Sequence, residues 1–241
     1  DVYKRQYIIL FFIVFNSAQA DTIYNLIKIP NLEIYDIKTP NKLRYLYAKQ
    51  PFTIGVDNNI NCYNSKKKTL DKKYEVIQKN LSRYNQIFLK KINLKYVVLC
   101  EDLSISNINT AGIPDNVMKT LILDIKFNEK YFERVIHHEV FHIINDSFKD
   151  IFNESTWSSF NLTDFKYAEC STCTDKLGLE TYSNTEGFFS EYSQSTASED
   201  MAEVFSHLMI GTNLNNKDPI LEKKINFIKK NFLKIDSNFI L

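Results

Sequence analysis

Residues 137–142 read His-His-Glu-Val-Phe-His, and this stretch limits the rest of the chain more than any other. Positions i and i+4 of a helix lie on one face, one turn apart. On a helix, His138 and His142 therefore offer two imidazole nitrogens to a single metal ion. Glu139 sits beside the first of them, where its carboxylate can reach a water held by that ion. Zinc lowers the pKa of such a water to about 7, and a carboxylate can then take its proton. The stretch encodes a ligand pair and a base only if it is helical. Its flanks agree: Tyr131, Phe132, Val135, Ile136, Val140, Phe141, Ile143 and Ile144 recur at three- and four-residue spacing. Such wide apolar coverage suits a helix buried through a domain centre. Asn128 is placed to cap its start, and Asn145-Asp146-Ser147 to end it. The bland alternative is a core helix that happens to carry histidines. His137 points about 100° away from His138 and reads as a packing residue or a hydrogen-bond partner of a ligand.

The chain has 241 residues, 44% of them hydrophobic, enough for one large domain or two small lobes. Thirty basic against 29 acidic residues leave a formal charge of +1, which argues against a charge-driven binder of nucleic acid or membrane surfaces. Clusters such as Lys66-Lys67-Lys68 read as solvated helix ends. Lys4 and Arg5 precede an apolar run from Tyr7 to Phe15, and Ala18-Gln19-Ala20 follows. A basic start, a short apolar run and a small-residue site predict a secretory signal peptide over 1–20, cleaved after Ala20. The run is too short to span a bilayer, which takes about 20 residues. A secreted or periplasmic monomer is expected, with one domain over 21–241: a sheet lobe to about 146 and a helical lobe from 147.

Export permits disulfides. Cys62, Cys100, Cys170 and Cys173 allow three pairings. Cys62–Cys100 with Cys170–Cys173 mixes distant segments least. Cys170-Ser171-Thr172-Cys173 has the spacing of half a zinc ribbon, but no second pair accompanies it.

Residues 22–60 mix β-branched and aromatic residues with Pro30, Pro40 and Pro51 and predict short strands and turns. Leu70, Tyr74, Ile77, Leu81, Tyr84 and Phe88 predict one amphipathic helix over about 69–91. Leu94–Cys100 reads as a strand, Ala111-Gly112-Ile113-Pro114 as a turn and Thr120–Phe127 as a second strand. The motif helix follows directly. A long polar and aromatic stretch to about 185 predicts an ordered loop region with a short helix. Helices are then expected from about Glu199 to Met209 and over Pro219–Ile235, the latter capped by Asp218 with Pro219 as its first residue. This order predicts an α+β fold with a small mixed sheet packed on helices.

Catalytic zinc usually takes three protein ligands and keeps one position open. A third histidine at metzincin spacing is missing, because Ile143, Ile144 and Asn145 follow His142. A carboxylate from another helix is the alternative. Glu154 is one candidate. Ser198–His207 is richer: Glu199, Glu203 and His207 fall at i, i+4 and i+8 on one face, with Met201, Val204 and Phe205 apolar. Ionisable groups on a largely buried helix are costly without compensation, which a metal would supply. The opposing possibility is a solvated acidic face capped by Ser198. Chemistry alone does not choose between Glu199 and Glu203.

Gly187-Phe188-Phe189-Ser190-Glu191-Tyr192-Ser193, followed by Ser198–Phe205, resembles the putative zinc-binding metallopeptidases. These are a bacterial gluzincin group related to the anthrax lethal factor catalytic domain and the clostridial Pro-Pro endopeptidases. The resemblance covers roughly 130–235, and Trp157, Asn161, Phe165 and Tyr167 resemble the group's inter-motif segment. It implies a zincin-like fold, Zn²⁺ and a peptide substrate. It implies Glu199 as the third ligand with His138 and His142. Glu203 would then be a carboxylate that orients a ligand histidine, and Tyr192 an oxyanion donor alongside Glu139 as base. His207 reads as structural. The activity expected is that of a secreted zinc endopeptidase. The alternatives are an inactive binding module on the same fold, disfavoured by the intact Glu139, and a zinc amidase acting on cell-wall peptide.

Overall fold

The computed structural model describes residues 32–55, 57–115, 117–212 and 218–241. The expected leader over 1–20 lies outside the described residues. Among the described residues of the first half are eight strands: β1 Leu32–Asp36, β2 Arg44–Ala48, β3 Phe52–Ile54, β4 Ile60–Tyr63, β5 Tyr96–Ile105, β6 Ile108–Asn109, β7 Gly112–Asp115 and β8 Thr120–Asp124. Six helices accompany them among the described residues: α1 Lys67–Leu81, α2 Gln86–Lys91, α3 Glu129–Ser147, α4 Glu154–Ser158, α5 Ala197–Met209 and α6 Pro219–Ile235. The architecture is mixed α+β.

Strand β5 organises the sheet. Its first half pairs in parallel with β2 on one side and β8 on the other. β1 and β7 add antiparallel edges. Its second half pairs with β4 and β6. The change of partners falls at Asp102, whose φ is +52°. The Asp124 carboxylate holds that bend by accepting the N–H groups of Asp102 and Leu103 at 3.1 and 3.3 Å. Strands covered on both faces read as continuous apolar runs. Accordingly Val97 and Leu99 join the core under the helices, while Val98 and Cys100 join a second cluster with Phe52, Cys62 and Ile122. Cys62–Cys100 and Cys170–Cys173 are bonded, the least-mixing of the three pairings.

Two local expectations are corrected. The single helix over 69–91 is two helices, α1 and α2, broken at 82–85. Tyr84 is fully buried in the break, and the Asn85 side chain accepts from Phe88 N–H to cap α2. The turn at 111–114 is the edge strand β7, with Pro114 opposite Leu121. An edge strand tolerates proline because its missing N–H can face away from the ladder.

Asn128 caps α3, accepting from Lys130 N–H at 2.9 Å. Thr196 caps α5, which starts two residues before the expected Glu199, and Asp218 caps α6. Phe141 of α3, Phe205 of α5 and Phe232 of α6 meet in one aromatic cluster, with centroids 5.3 Å apart for Phe141–Phe205 and 4.8 Å for Phe205–Phe232. Burying a phenylalanine stabilises by about 1.5–3 kcal/mol, so this cluster sets α5 firmly against α3. No helix among the described residues is long and apolar enough to cross a membrane.

Candidate metal centre

His138 and His142 project from the middle of α3, and Glu199 projects from the first turn of α5 toward them. His138 Nε2 lies 2.8 Å from Glu199 Oε2, His142 Nε2 lies 3.1 Å from the same oxygen, and the two Nε2 atoms are 3.1 Å apart. Tetrahedral donors about 2.0–2.1 Å from zinc lie about 3.3 Å from one another, close to these separations.

The electron-pair arrangement is as informative as the distances. Glu203, one turn after Glu199, places Oε1 3.0 Å from His138 Nδ1. Burial works against the Glu203 charge, but the bond to His138 and the nearby Arg134 outweigh it and hold its carboxyl at about 2. An ionised carboxylate only accepts, so His138 Nδ1 carries the proton. The neutral ring then turns its Nε2 lone pair toward a carboxylate oxygen and a second imidazole nitrogen. Three electron-rich atoms converge, and only a cation reconciles them. Without a metal, that cation is a proton. Burial opposes it, yet hydrogen bonds to the Glu199 and Glu203 carboxylates lift His138 to about 10. Burial also opposes the Glu199 charge, but His142 and His138 hold that carboxyl well below the usual range. Histidine nitrogen and carboxylate oxygen are zinc donors, so the residues fit the ion.

Glu139 is buried. Burial pushes its carboxyl up to about 7, against the pull of His138 and His142. It packs on β7: a Cβ added at Gly112 would meet Glu139 Cγ at 2.6 Å and Cδ at 3.0 Å. Tyr192 opens a 3-10 turn, Tyr192–Gln194, with its ring 5.8 Å from that of His138. Burial first, then the Glu199 charge, push its phenol pKa up.

An outer layer supports the donors. Ser190 Oγ donates to Glu203 Oε2 at 2.7 Å, and the Arg134 guanidinium lies 3.4 Å from the same oxygen. Arg134 also donates to His207 Nε2 at 2.7 Å. His207 therefore accepts on Nε2 and donates from Nδ1 to Thr212 Oγ1 at 2.9 Å; burial holds its pKa near 3. His142 Nδ1 faces Ser198 Oγ at 3.4 Å. His137 turns away, donating from Nε2 to Asn80 Oδ1 at 3.0 Å and accepting from the Tyr84 hydroxyl at 2.7 Å, so it ties α3 to α1 and the break after it.

All six singled-out residues, His138, Glu139, His142, Tyr192, Glu199 and Glu203, thus gather at one place, and Glu154 lies on α4 outside the donor cluster. Sequence reasoning gave no role in the site to Arg134, Ser190, Ser198 or Gly112. Arg134 alone left a signal: it steps by four to His138 and His142 on the same face of α3.

A helix carrying two histidines, crossed by a second carrying a glutamate, defines a metal-binding protein with a zinc-type donor set. The chain belongs to the family described as putative zinc-binding metallo-peptidase, whose model matches residues 74–231. The family implies Zn²⁺ as the cofactor. One solved structure, a putative zinc-binding metallo-peptidase from Bacteroides caccae ATCC 43185, is similar over 93% of this chain and 87% of that chain, at 15% identity and a TM-score of 0.46. No curated protein matches the chain.

Proposed function

We propose that this chain is an exported zinc endopeptidase of the gluzincin type, on a zincin-like fold related to the anthrax lethal factor catalytic domain and the clostridial Pro-Pro endopeptidases. The observation that carries the proposal is the convergence of His138, His142 and Glu199 on one point, with Glu139 beside them. His138, His142 and Glu199 hold the ion. When bound, zinc supplies a Lewis acid for the scissile carbonyl and makes water a usable nucleophile near neutral pH. Glu139 takes the proton of the attacking water on its carboxylate and returns it to the leaving amine. Tyr192 donates its hydroxyl hydrogen to the oxygen on which negative charge develops, where a fixed donor has most effect. Glu203 keeps the His138 proton on Nδ1, so that Nε2 remains the donor. Residues 1–20 direct export.

The test is metal analysis of residues 21–241 together with a peptide-library digest, with and without a chelator. One zinc per chain and internal cleavages that stop on chelation are expected. Zinc without any cleavage would leave an inactive zinc-binding module, and hydrolysis of amide bonds in cell-wall peptide alone would make it an amidase.

The Gly112 contact adds a second expectation. Gly112→Ala forces Glu139 or β7 to move, since no real Cβ sits 2.6 Å from a neighbouring carbon. A displacement near 1 Å can cost about 100-fold in rate. A fall in kcat of about 10–100-fold with unchanged zinc content is expected. Native kcat in a folded Gly112→Ala variant would show that Glu139 has no fixed working position.

A further inference from the structure

Behind the metal centre lies a buried charge cluster that the chemistry above does not use. Asp200 follows Glu199 on α5, and successive helix residues point about 100° apart. Glu199 turns toward α3, and Asp200 turns toward α4 and α6. Asp200 Oδ2 accepts three hydrogen bonds: from Trp157 Nε1 at 2.8 Å, from the Tyr167 hydroxyl at 2.6 Å and from Lys224 Nζ at 2.6 Å. Lys224 also donates to the Gly187 carbonyl at 2.7 Å and lies 3.8 Å over the Phe188 ring. Asp200, Lys224 and Trp157 are each fully buried.

A buried ion pair is a poor source of stability. Desolvation offsets most of its attraction, and apolar replacements of like volume are often neutral or stabilising. What such a pair supplies is a single allowed arrangement. This one joins α4, the loop at Tyr167, the turn at Gly187 and helix α6 to the first turn of α5. The segment leaving Gly187 also carries Ser190, which bonds Glu203, and Tyr192.

We propose that the Asp200–Lys224 pair is a positioning clamp for the metal ligand: it fixes the rotation of the first turn of α5, and thereby aims the Glu199 carboxylate at His138 and His142. The inference rests on Glu199 being a zinc ligand. Asp200 and Lys224 lie outside the donor set and are fully buried. The clamp also gives a use to the aromatic residues between the two metal-binding helices, which otherwise look like ordinary core.

The test is the double variant Asp200→Asn with Lys224→Met, which removes both charges and keeps volume and the Trp157 and Tyr167 donors' acceptor. Zinc affinity is read by chelator competition, and the metal-free chain is melted in parallel. A metal-free Tm equal to or above the native one, with zinc bound about 10–100-fold more weakly, is expected, as for loss of other groups that orient ligands. Native affinity overturns the clamp whatever the Tm does. If both Tm and affinity fall, Tyr167→Phe decides, since it removes one hydroxyl, with its bonds to Asp200 and from Asn161, and little volume. A loss of a few-fold in affinity at native Tm supports the clamp, and unchanged affinity overturns it. Glu199→Ala is the control. If it binds zinc normally, the ligand assignment fails; if it loses zinc while the clamp variants do not, only the clamp fails.

Discussion

A Glu139→Gln variant is expected to hold zinc as tightly as the native chain and to hydrolyse peptides about 10²–10⁴-fold more slowly, the usual contribution of a general base. The three donor atoms of the proposed site come from His138, His142 and Glu199, so the substitution leaves that ligand set whole. Glutamine has the length and shape of glutamate and keeps the packing against Gly112. What it lacks is a carboxylate that can take a proton. The change also removes a buried ionisable group and adds none, so the variant should fold at least as well. Zinc content, a thermal melt and kcat on a peptide identified in the library digest check the three parts together. Hydrolysis at the native rate with zinc in place would remove Glu139 from the chemistry.

The proposed ligand pair and base are legible in the sequence because one helix carries them all, and helical spacing alone puts His138 and His142 on one face. The carboxylate ligand was harder. Glu199 and Glu203 are one turn apart on the same face, so spacing cannot rank them; it took a resemblance to do so. In three dimensions the difference is one of reach. Glu199 meets the inner Nε2 atoms, and Glu203 meets the outer Nδ1 of His138. Gly112 was hidden because Ala-Gly-Ile-Pro carries strong turn signals, whereas here the glycine makes room for Glu139 and the proline sits on a sheet edge. The break after α1 was hidden because Tyr84 keeps the apolar spacing of a helix while the backbone leaves it. Asp200 and Lys224 are 24 residues apart and lie on different helices, so only packing reveals the pair.

Glu199→Ala and Glu203→Ala should fail in different ways, and the contrast is the sharpest available test of the site. Removing Glu199 leaves two nitrogens where catalytic zinc takes three protein ligands, so the purified variant is expected to lose its zinc. Removing Glu203 keeps all three donors but frees His138 Nδ1, and a loss of about 10–100-fold in affinity follows from such a change. Stability should show the opposite order. Glu203 is 2% exposed beside Arg134 at 4%, so alanine there leaves a cation buried without its carboxylate, a loss of about 3–5 kcal/mol. Glu199 is more open, and its nearest partners are two imidazole nitrogens rather than a permanently charged guanidinium. Glu203→Ala is therefore the variant that lowers Tm, and Glu199→Ala the variant that empties the site. If Glu203→Ala lost the metal and Glu199→Ala kept it, the two glutamates would have to exchange roles, and the geometry of α5 against α3 would need a different explanation.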